Sequence, residues 1–393
     1  MSRLATLIGR VKHSGRLQEA NDRQIDVDTN VPVAADVLHE FVKSMKSIRQ
    51  YDSSIVHNAV AEDLIADLAE QGLSLLQNQP DARLPTKMIL SLETIIKADG
   101  SRPCLKIVDG AADLDHPMAR QWREQLVLTR SHVARIAGAT GRVQPRNGSS
   151  AHFFGTCFLF DRNARLALTN RHVAVAAIRK SIGVHAAVPG RDLLTSFKFH
   201  GNPLTVEFDG EHGSTRAKQF SVEEILLPPW PWSVDRPTMD IAVLRLAPST
   251  LELPEAVSVS TDASFEQEEI LTSVAVVGFP GQPQDRAGVT DGVDWAWVDR
   301  ELFGEVYGVK RLAPCIVHQS PNADPASAAS LTFGHDASTL GGSSGSGMYA
   351  WLDGAAAFGI HFAGISADSN RAHGFSPMPT AVLLNQFGIV QVR

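Results

Sequence analysis

The feature that most constrains this chain is a run of small residues near its C-terminal end. Residues 336–347 read Asp-Ala-Ser-Thr-Leu-Gly-Gly-Ser-Ser-Gly-Ser-Gly, and the last seven are all glycine or serine. Such a run cannot build a hydrophobic core, but it can form a tight loop whose N–H groups converge on one point. There, the N–H groups of Gly342 and Ser344 could stabilise a negatively charged oxygen. The alternative is a flexible linker, unless the chain supplies a general base elsewhere.

Two other segments supply a base and a partner for it. Residues 166–174, Leu-Ala-Leu-Thr-Asn-Arg-His-Val-Ala, predict a buried strand that ends close to His172 and leads into a helical turn. Residues 238–246, Thr-Met-Asp-Ile-Ala-Val-Leu-Arg-Leu, place Asp240 at the mouth of an apolar strand. A serine hydroxyl needs a base within hydrogen-bond reach, and a histidine oriented by a carboxylate can serve. The chain therefore carries a candidate nucleophile, Ser344, with a candidate base and orienting acid.

These three motifs, in this order, resemble those of the chymotrypsin-fold (trypsin-like) serine peptidases. The resemblance spans roughly residues 141–393 and is closest to the bacterial branch of the glutamyl endopeptidases. In that branch Asp-x-Ser-Thr also precedes a Gly-Gly-x-Ser-Gly-Ser loop, and a Gly-Ile-His strand follows. The resemblance implies two six-stranded antiparallel β-barrels and an acyl-enzyme mechanism without metal or cofactor. It assigns catalysis to His172, Asp240 and Ser344, and the oxyanion hole to the N–H groups of Gly342 and Ser344.

The chain departs from the trypsin pattern at three places. Ser343 stands where trypsin has the aspartate that pairs with a newly cut N-terminus, so that form of zymogen activation is not expected. Gly347 replaces the family's usual proline. Cys157 has no partner near His172, so the disulfide that flanks the histidine in trypsin is absent.

The resemblance also implies a substrate pocket that involves Ser338, Thr339 and His361. In the trypsin branch an aspartate six residues before the nucleophile selects Lys or Arg, and here that position is Ser338. In the glutamyl endopeptidases the residues corresponding to Thr339 and His361 hold the substrate carboxylate. A hydroxyl and an imidazole N–H can each donate a charge-assisted hydrogen bond worth roughly 1.5–3 kcal/mol. We therefore favour an acidic residue on the acyl side of the cut over a small apolar one, or over Lys or Arg read by Asp336.

The hydrophobic pattern divides the chain into three parts. Residues 1–30 are predicted to be a flexible arm, and residues 31–115 a small all-α module with helical stripes up to residue 100. Residues 116–393 are predicted to be the peptidase domain, with a lead-in helix at 116–138 and a closing helix around 381–387. Between them, short apolar runs separated by Gly, Pro, Asn and Asp predict strands. These runs are 156–160, 167–169, 186–188, 204–208, 241–246, 274–279, 313–317, 348–351 and 357–362.

Charge and composition restrict the partners of the chain. The net charge is −7 and the isoelectric point is near 6.1, which argues against nucleic acid as the main partner. No run approaches the roughly 18 apolar residues of a membrane span, and no apolar segment near the start is long enough for a secretory signal. Three scattered cysteines fit a reducing cytoplasm. We expect a cytoplasmic protein that acts on proteins or peptides and does not bind membranes.

The helical module suggests regulation. A small helical module ahead of a cytoplasmic peptidase resembles the adaptor-plus-peptidase layout of bacterial defence and cell-death proteins, which would add a regulatory protein as a partner. A scaffold that only steadies the barrels is the alternative role for this module.

Two further interpretations of the whole chain remain open. Residues 341–345 also fit the G-x-S-x-G motif of acyl hydrolases with Ser343 as nucleophile, which requires a strand before the serine and a helix after it. The other is a catalytically silent peptidase fold used as a binding module. Its mark would be the loss of a triad residue, and none is lost.

Overall fold

The computed structural model describes residues 102–182, 195–215, 217–227, 240–267, 274–282, 295–323, 328–364 and 370–376. The predicted flexible arm, the helical stripes before residue 101, the strand at 186–188 and the closing helix at 381–387 lie outside the described residues. None of the helices within the described ranges is both long and apolar enough to cross a membrane.

The described chain begins with a short hairpin followed by helices. Strands β1 (Leu105–Val108) and β2 (Ala111–Ala112) form the hairpin. A 3-10 helix at Pro117–Trp122 leads into α1 (Arg123–Leu128) and α2 (Arg130–Ala139), so the predicted lead-in helix is present but divided. The part of the predicted all-α module that is described, residues 102–115, therefore contains strands. The rest of that module stays a prediction.

The first barrel consists of six antiparallel strands that close into a ring. They are β3 (Thr140–Pro145), β4 (Gly155–Asp161), β5 (Leu166–Thr169), β7 (Leu204–Glu207), β8 (Gln219–Leu227) and β9 (Ala242–Leu246), and β6 (Thr195–Lys198) pairs with β8 outside the ring. The ring runs β3-β4-β5-β9-β8-β7 and closes where β7 pairs with β3. Helix α3 (Arg171–Ile182) follows β5 directly. The end of β5 and the start of α3 therefore lie at the same corner of the barrel.

The second barrel is formed by the later strands. They are β10 (Ser258–Val259), β11 (Val274–Gly278), β12 (Arg311–Cys315), β13 (Val317–Gln319), β14 (Thr332–His335), β15 (Gly347–Tyr349), β16 (Ala356–Gly364) and β17 (Asn370–Gly374). Only Ile316 separates β12 from β13, so these two act as one strand. With that continuity the antiparallel order β11-β12/β13-β14-β17-β16-β15 returns to β11 as a six-membered ring. Two short 3-10 helices, Ala263–Glu266 and Ala328–Leu331, and a helical turn α4 (Trp295–Trp297) continued by a π-helix at Val298–Leu302 lie between strands.

Burial of apolar side chains accounts for both barrels and for the position of the helices. Every residue of β4 except Asp161 is buried, as is all of β5. Helix α2 buries Val133, Ile136 and Ala137 in the same core. Removing this surface from water is the main term that favours the fold. Strand β1 pairs with β12, so the residues ahead of the barrels extend the second sheet.

The predicted fold class of two antiparallel barrels is confirmed, and most predicted apolar runs are strands. Four strands of the two rings were missed, β3, β8, β14 and β17, and so were the short strands β1, β2, β6 and β10 outside the rings. Three of the missed ring strands bury polar residues, among them Arg142 and Gln144 in β3, His335 in β14, and Arg371 and His373 in β17. Arg142, for example, donates to Glu207 at 2.7 Å and to Gln144 at 2.8 Å. These polar side chains have partners supplied by distant segments, so their strands carry no apolar run to reveal them.

Candidate active site

The position of His172 follows from the junction between β5 and α3. Strand β5 ends at Thr169, and α3 begins two residues later, so His172 lies in the first helical turn. Asn170 joins this turn to the start of β9, because its side-chain amide donates to the carbonyl of Asp240 at 2.8 Å. The backbone carbonyl of Asn170 accepts from Ala174 at 3.1 Å. The predicted strand ending near the histidine is confirmed, and Asn170 brings Asp240 beside it.

His172 and Asp240 are joined by two hydrogen bonds. The ring Nδ1 lies 2.5 Å from Oδ2 of Asp240, and the backbone N–H of His172 donates to Oδ1 at 2.9 Å. Burial by itself would raise the pKa of Asp240, but the charge and hydrogen bonds of His172 hold this pKa below its usual value. The carboxylate is therefore ionised at neutral pH. It keeps the proton of a neutral His172 on Nδ1 and leaves Nε2 as the acceptor.

His373 in β17 supports Asp240 from the second barrel. Its Nε2 accepts from the backbone N–H of Asp240 at 3.0 Å. Its ring stacks on Phe362, with 4.3 Å between centroids and 19° between planes. Burial lowers the pKa of His373 to about 4, so the ring is neutral and can accept. The sequence analysis missed this residue, and the polar segment around it offered no signal that would have found it.

Ser344 lies in the loop between β14 and β15, and the main chain holds it in place. Gly345 has φ +89° and donates from its N–H to the carbonyl of His361 at 2.9 Å. A Cβ at Gly345 would lie 1.9 Å from the carbonyl oxygen of Thr156, so only glycine fits. The carbonyl of Ser344 accepts from Thr156 N–H at 2.8 Å, and its hydroxyl donates to the carbonyl of Phe362 at 3.3 Å.

Two N–H groups of this loop remain open for a ligand. Within the described ranges, the N–H groups of Gly342 and Ser344 make no hydrogen bond, whereas that of Ser343 donates to Leu340 at 3.0 Å. Gly342 has φ +92°, a conformation that glycine adopts without strain. The predicted oxyanion hole is thus a pair of uncommitted donors beside the serine.

Thr156 in β4 ties this loop to the first barrel. Its hydroxyl donates to the carbonyl of Gly342 at 2.9 Å and accepts from Phe279 N–H at 3.1 Å. The hydroxyl of Thr169 donates to the carbonyl of Thr156 at 2.7 Å, which connects the same strand to the end of β5. The sequence analysis did not single out Thr156.

Gly155 in β4 lies between the candidate base and the candidate nucleophile in the network of contacts, because the neighbour of His172 and the main chain of Ser344 both lie against it. A Cβ at Gly155 would lie 2.7 Å from the Val173 side chain and 2.9 Å from the carbonyl oxygen of Ser344. Val173 follows His172, which is bonded to Asp240. Val173, which follows the candidate base, and Ser344, the candidate nucleophile, therefore both lie close to Gly155.

The predicted pocket residues are buried and bonded to protein. The Ser338 hydroxyl donates to the carbonyl of Arg102 at 2.6 Å, and the Thr339 hydroxyl donates to Oδ1 of Asn370 at 2.8 Å. The Nδ1 of His361 lies 3.2 Å from Nε2 of His335, and the His361 ring also hydrogen-bonds to the backbone of Arg371. Burial, with the nearby charge of His172, lowers the pKa of His361 to about 3, so this ring is neutral.

The acyl-hydrolase alternative lacks its helix. Ser343 is buried, and the chain after it continues into β15, a strand, where the G-x-S-x-G elbow requires a helix. Among the described residues, no group of three or more His, Cys, Asp or Glu side chains is arranged to hold a metal ion.

Comparison with known proteins extends these observations. The family model of the trypsin-like peptidase domain matches residues 155–357. A probable serine protease of Lysobacter enzymogenes is 35% identical over 323 residues, which are 81% of this chain and 80% of that protein.

Two solved structures that the chain matches are more distant. The Rv3671c protease in its inactive form is 13% identical, with a TM-score of 0.34 over 66% of this chain and 93% of that one. An HtrA-type protease, AlgW with a decapeptide, is 14% identical, with a TM-score of 0.36 over 66% of each chain. The family match over half of the chain and the relative over four-fifths of it lead to one conclusion: the chain belongs to the trypsin-like peptidase family and is a serine endopeptidase.

Proposed function

We propose that His172, Asp240 and Ser344 form the catalytic triad of this peptidase. The Ser344 hydroxyl attacks the carbonyl carbon of the scissile bond while Nε2 of His172 takes its proton. The resulting oxyanion is held by the N–H groups of Gly342 and Ser344. His172 then returns the proton to the leaving amine, which departs as the acyl-enzyme forms. A water molecule, activated by the same histidine, releases the acyl group and restores Ser344.

The observation that carries this proposal is the geometry of the His172–Asp240 pair. A 2.5 Å contact to Nδ1 and a second bond to the backbone N–H fix both the ring and its tautomer. The ionised carboxylate also stabilises the imidazolium that appears when Ser344 loses its proton. The N–H groups of Gly342 and Ser344, which make no hydrogen bond within the described ranges, further support the proposal.

Labelling with a fluorophosphonate serine probe tests the proposal. The wild-type chain should be labelled, Ser344→Ala should not, and the matched variant Ser343→Ala should still be. Label lost only in Ser343→Ala would support the acyl-hydrolase alternative. A folded wild-type chain that takes no label would favour the silent binding module and contradict the proposal.

For substrate preference, we propose an acidic residue on the acyl side of the cut, with Thr339 and His361 as its donors. A substrate carboxylate would replace Asn370 as the acceptor of the Thr339 hydroxyl and the backbone of Arg371 as the acceptor of the His361 ring N–H, because both donors bond to these groups in the structure. A peptide library compared between wild type and Thr339→Val tests this. Acidic selectivity that falls in the valine variant supports the pocket; a preference for Lys, Arg or small residues rejects it.

We further propose that the enzyme acts in the cytoplasm and that residues 31–115 regulate it as an adaptor, as in bacterial defence. Cys104, Cys157 and Cys315 are buried free thiols, which suits a reducing compartment. Deleting residues 1–100 tests the adaptor role. Retained peptide hydrolysis with lost cleavage of a natural partner supports it, whereas loss of folding indicates the scaffold.

A further inference from the structure

The segment that enters the described structure at residue 102 is bonded to the loop that precedes the nucleophile. The Nε of Arg102 donates to Oδ1 of Asp336 at 2.7 Å, and the two side chains are only 13% and 5% exposed. The same carboxylate oxygen accepts from the backbone N–H of Ile316 at 2.9 Å. A pair this well buried, and bonded to the main chain, restricts its loop far more than a surface ion pair does.

The second contact of this segment reaches the proposed substrate pocket. Ser338 occupies the position six residues before Ser344, and its hydroxyl donates to the backbone carbonyl of Arg102 at 2.6 Å. Thr339, next in the chain, donates to Asn370, which in turn donates to the carbonyl of Ala337 at 2.6 Å. The loop at residues 336–339 is thus bonded to Arg102 and also to Asn370 in β17.

The rest of the segment is attached to the second barrel. The Nη1 of Arg311 donates to the carbonyl of Cys104 at 2.5 Å, and β1 begins at the next residue and pairs with β12. The Arg102 guanidinium lies 5.9 Å from the ring centroid of Trp122. Residues 102–108 are therefore bonded to the pocket loop at their start, through Arg102, and to strand β12 of the second sheet further on, through β1.

We propose that Arg102 is a positioning residue for the substrate pocket, which it shapes by holding Asp336 and the Ser338 hydroxyl. This inference rests on the proposed function and deepens it. Arg102 follows the N-terminal part of the chain in the sequence, and a displacement of Arg102 frees the loop that carries Ser338 and Thr339. Regulation by the N-terminal part then acts on substrate binding and leaves the chemistry of Ser344 unchanged.

Full-length variants test the proposal. Arg102→Gln and Asp336→Asn each remove one side of the pair, and Arg102→Lys keeps the charge. Arg162→Gln is the matched control, because Arg162 pairs with Glu252 on the exposed surface. The measurements are KM and kcat on peptides, the selectivity for the acyl-side residue, the rate of fluorophosphonate labelling, and hydrogen exchange of residues 336–341.

We expect KM to rise about tenfold in Arg102→Gln and Asp336→Asn, with selectivity flattened and labelling within about twofold of wild type. The double variant should add little to either single one, and Arg102→Lys should recover part of the loss. Exchange should accelerate in 336–341 and stay unchanged in the control. Unchanged exchange and KM, or labelling that falls in step with turnover, would overturn the inference. Because exchange needs no activity, failure of this inference is separable from failure of the proposed triad.

Discussion

The two barrels hold their halves of the active site by different means. In the first barrel, His172 and Asp240 are held by side-chain hydrogen bonds around a buried charge. In the second barrel, Ser344 is held by backbone hydrogen bonds and by glycines with positive φ, and its donors are uncharged N–H groups. The position of the first half therefore depends mainly on a charge, and the position of the second half depends mainly on backbone conformation.

Buried carboxyl groups show the same contrast. Asp240 has a pKa held below its usual value, so it stays charged where the histidine needs it. Glu266, packed under the end of β17, has its pKa raised to about 7 by burial. We therefore expect substitutions in the first half to act mainly through charge and tautomer, and those in the second half through the position of the loop.

The largest expected effect comes from removing either end of the proton transfer. We expect His172→Ala and Ser344→Ala each to lower kcat by about 10⁶, because the residues act as a unit. The double variant should be hardly slower than either single one. Steady-state hydrolysis of a peptide, with burst titration of active sites, measures this. If Ser344→Ala retained near-normal turnover, the wrong serine would have been assigned.

The next largest effect is expected from removing the charge of Asp240, which tests the first half of the site alone. Asp240→Asn can keep the bond from His172 N–H but no longer stabilises the proton on Nδ1, so kcat should fall about 10⁴-fold. Labelling by the fluorophosphonate should slow in parallel, while circular dichroism stays that of the wild type. A loss below tenfold would mean that the buried charge contributes little to this mechanism.

The proposed catalytic residues could be named from the sequence, whereas their supporting residues could not. His172, Asp240 and Ser344 each stand in a short local motif. The supporting residues Thr156, His373 and Arg102 act through partners far along the chain. The His373 bond to Asp240 spans 133 positions, and the Arg102 bond to Asp336 spans 234.

The same reason limits what could be predicted of the fold. Strand β17, Asn-Arg-Ala-His-Gly, is entirely buried although four of its five residues are polar or glycine. Two of its polar side chains, Asn370 and His373, bond to Thr339 and Asp240, which are distant in the sequence. The spacing of apolar residues in the sequence does not include these partners, so it predicts a loop where a central strand lies.

The pH dependence of stability sharpens the contrast between the two carboxyl groups. Glu266 has a folded-state pKa of about 7 against an ordinary 4.5, so between these values the unfolded chain is ionised while the folded chain keeps its proton. Wild-type stability therefore falls as pH rises through this interval, by up to about 3 kcal/mol relative to Glu266→Gln. Denaturant unfolding at a series of pH values measures the difference. A gap between the two proteins that does not change with pH would refute the prediction.

The smallest effect concerns Thr156, a side chain of the first barrel that bonds to the Ser344 loop. Thr156→Val keeps the shape but removes the hydroxyl that donates to Gly342 and accepts from Phe279 N–H. The carbonyl of Gly342 and the buried N–H of Phe279 then lose their partner and the N–H donors of the loop can shift, so we expect kcat to fall about tenfold with KM unchanged. Thr156→Ser retains the hydroxyl and is the matched control. Affinity for a peptide aldehyde, which forms a tetrahedral adduct with Ser344, should fall with kcat in the valine variant only. If the serine variant were equally impaired, the methyl packing of Thr156 and not its hydroxyl would hold the oxyanion loop.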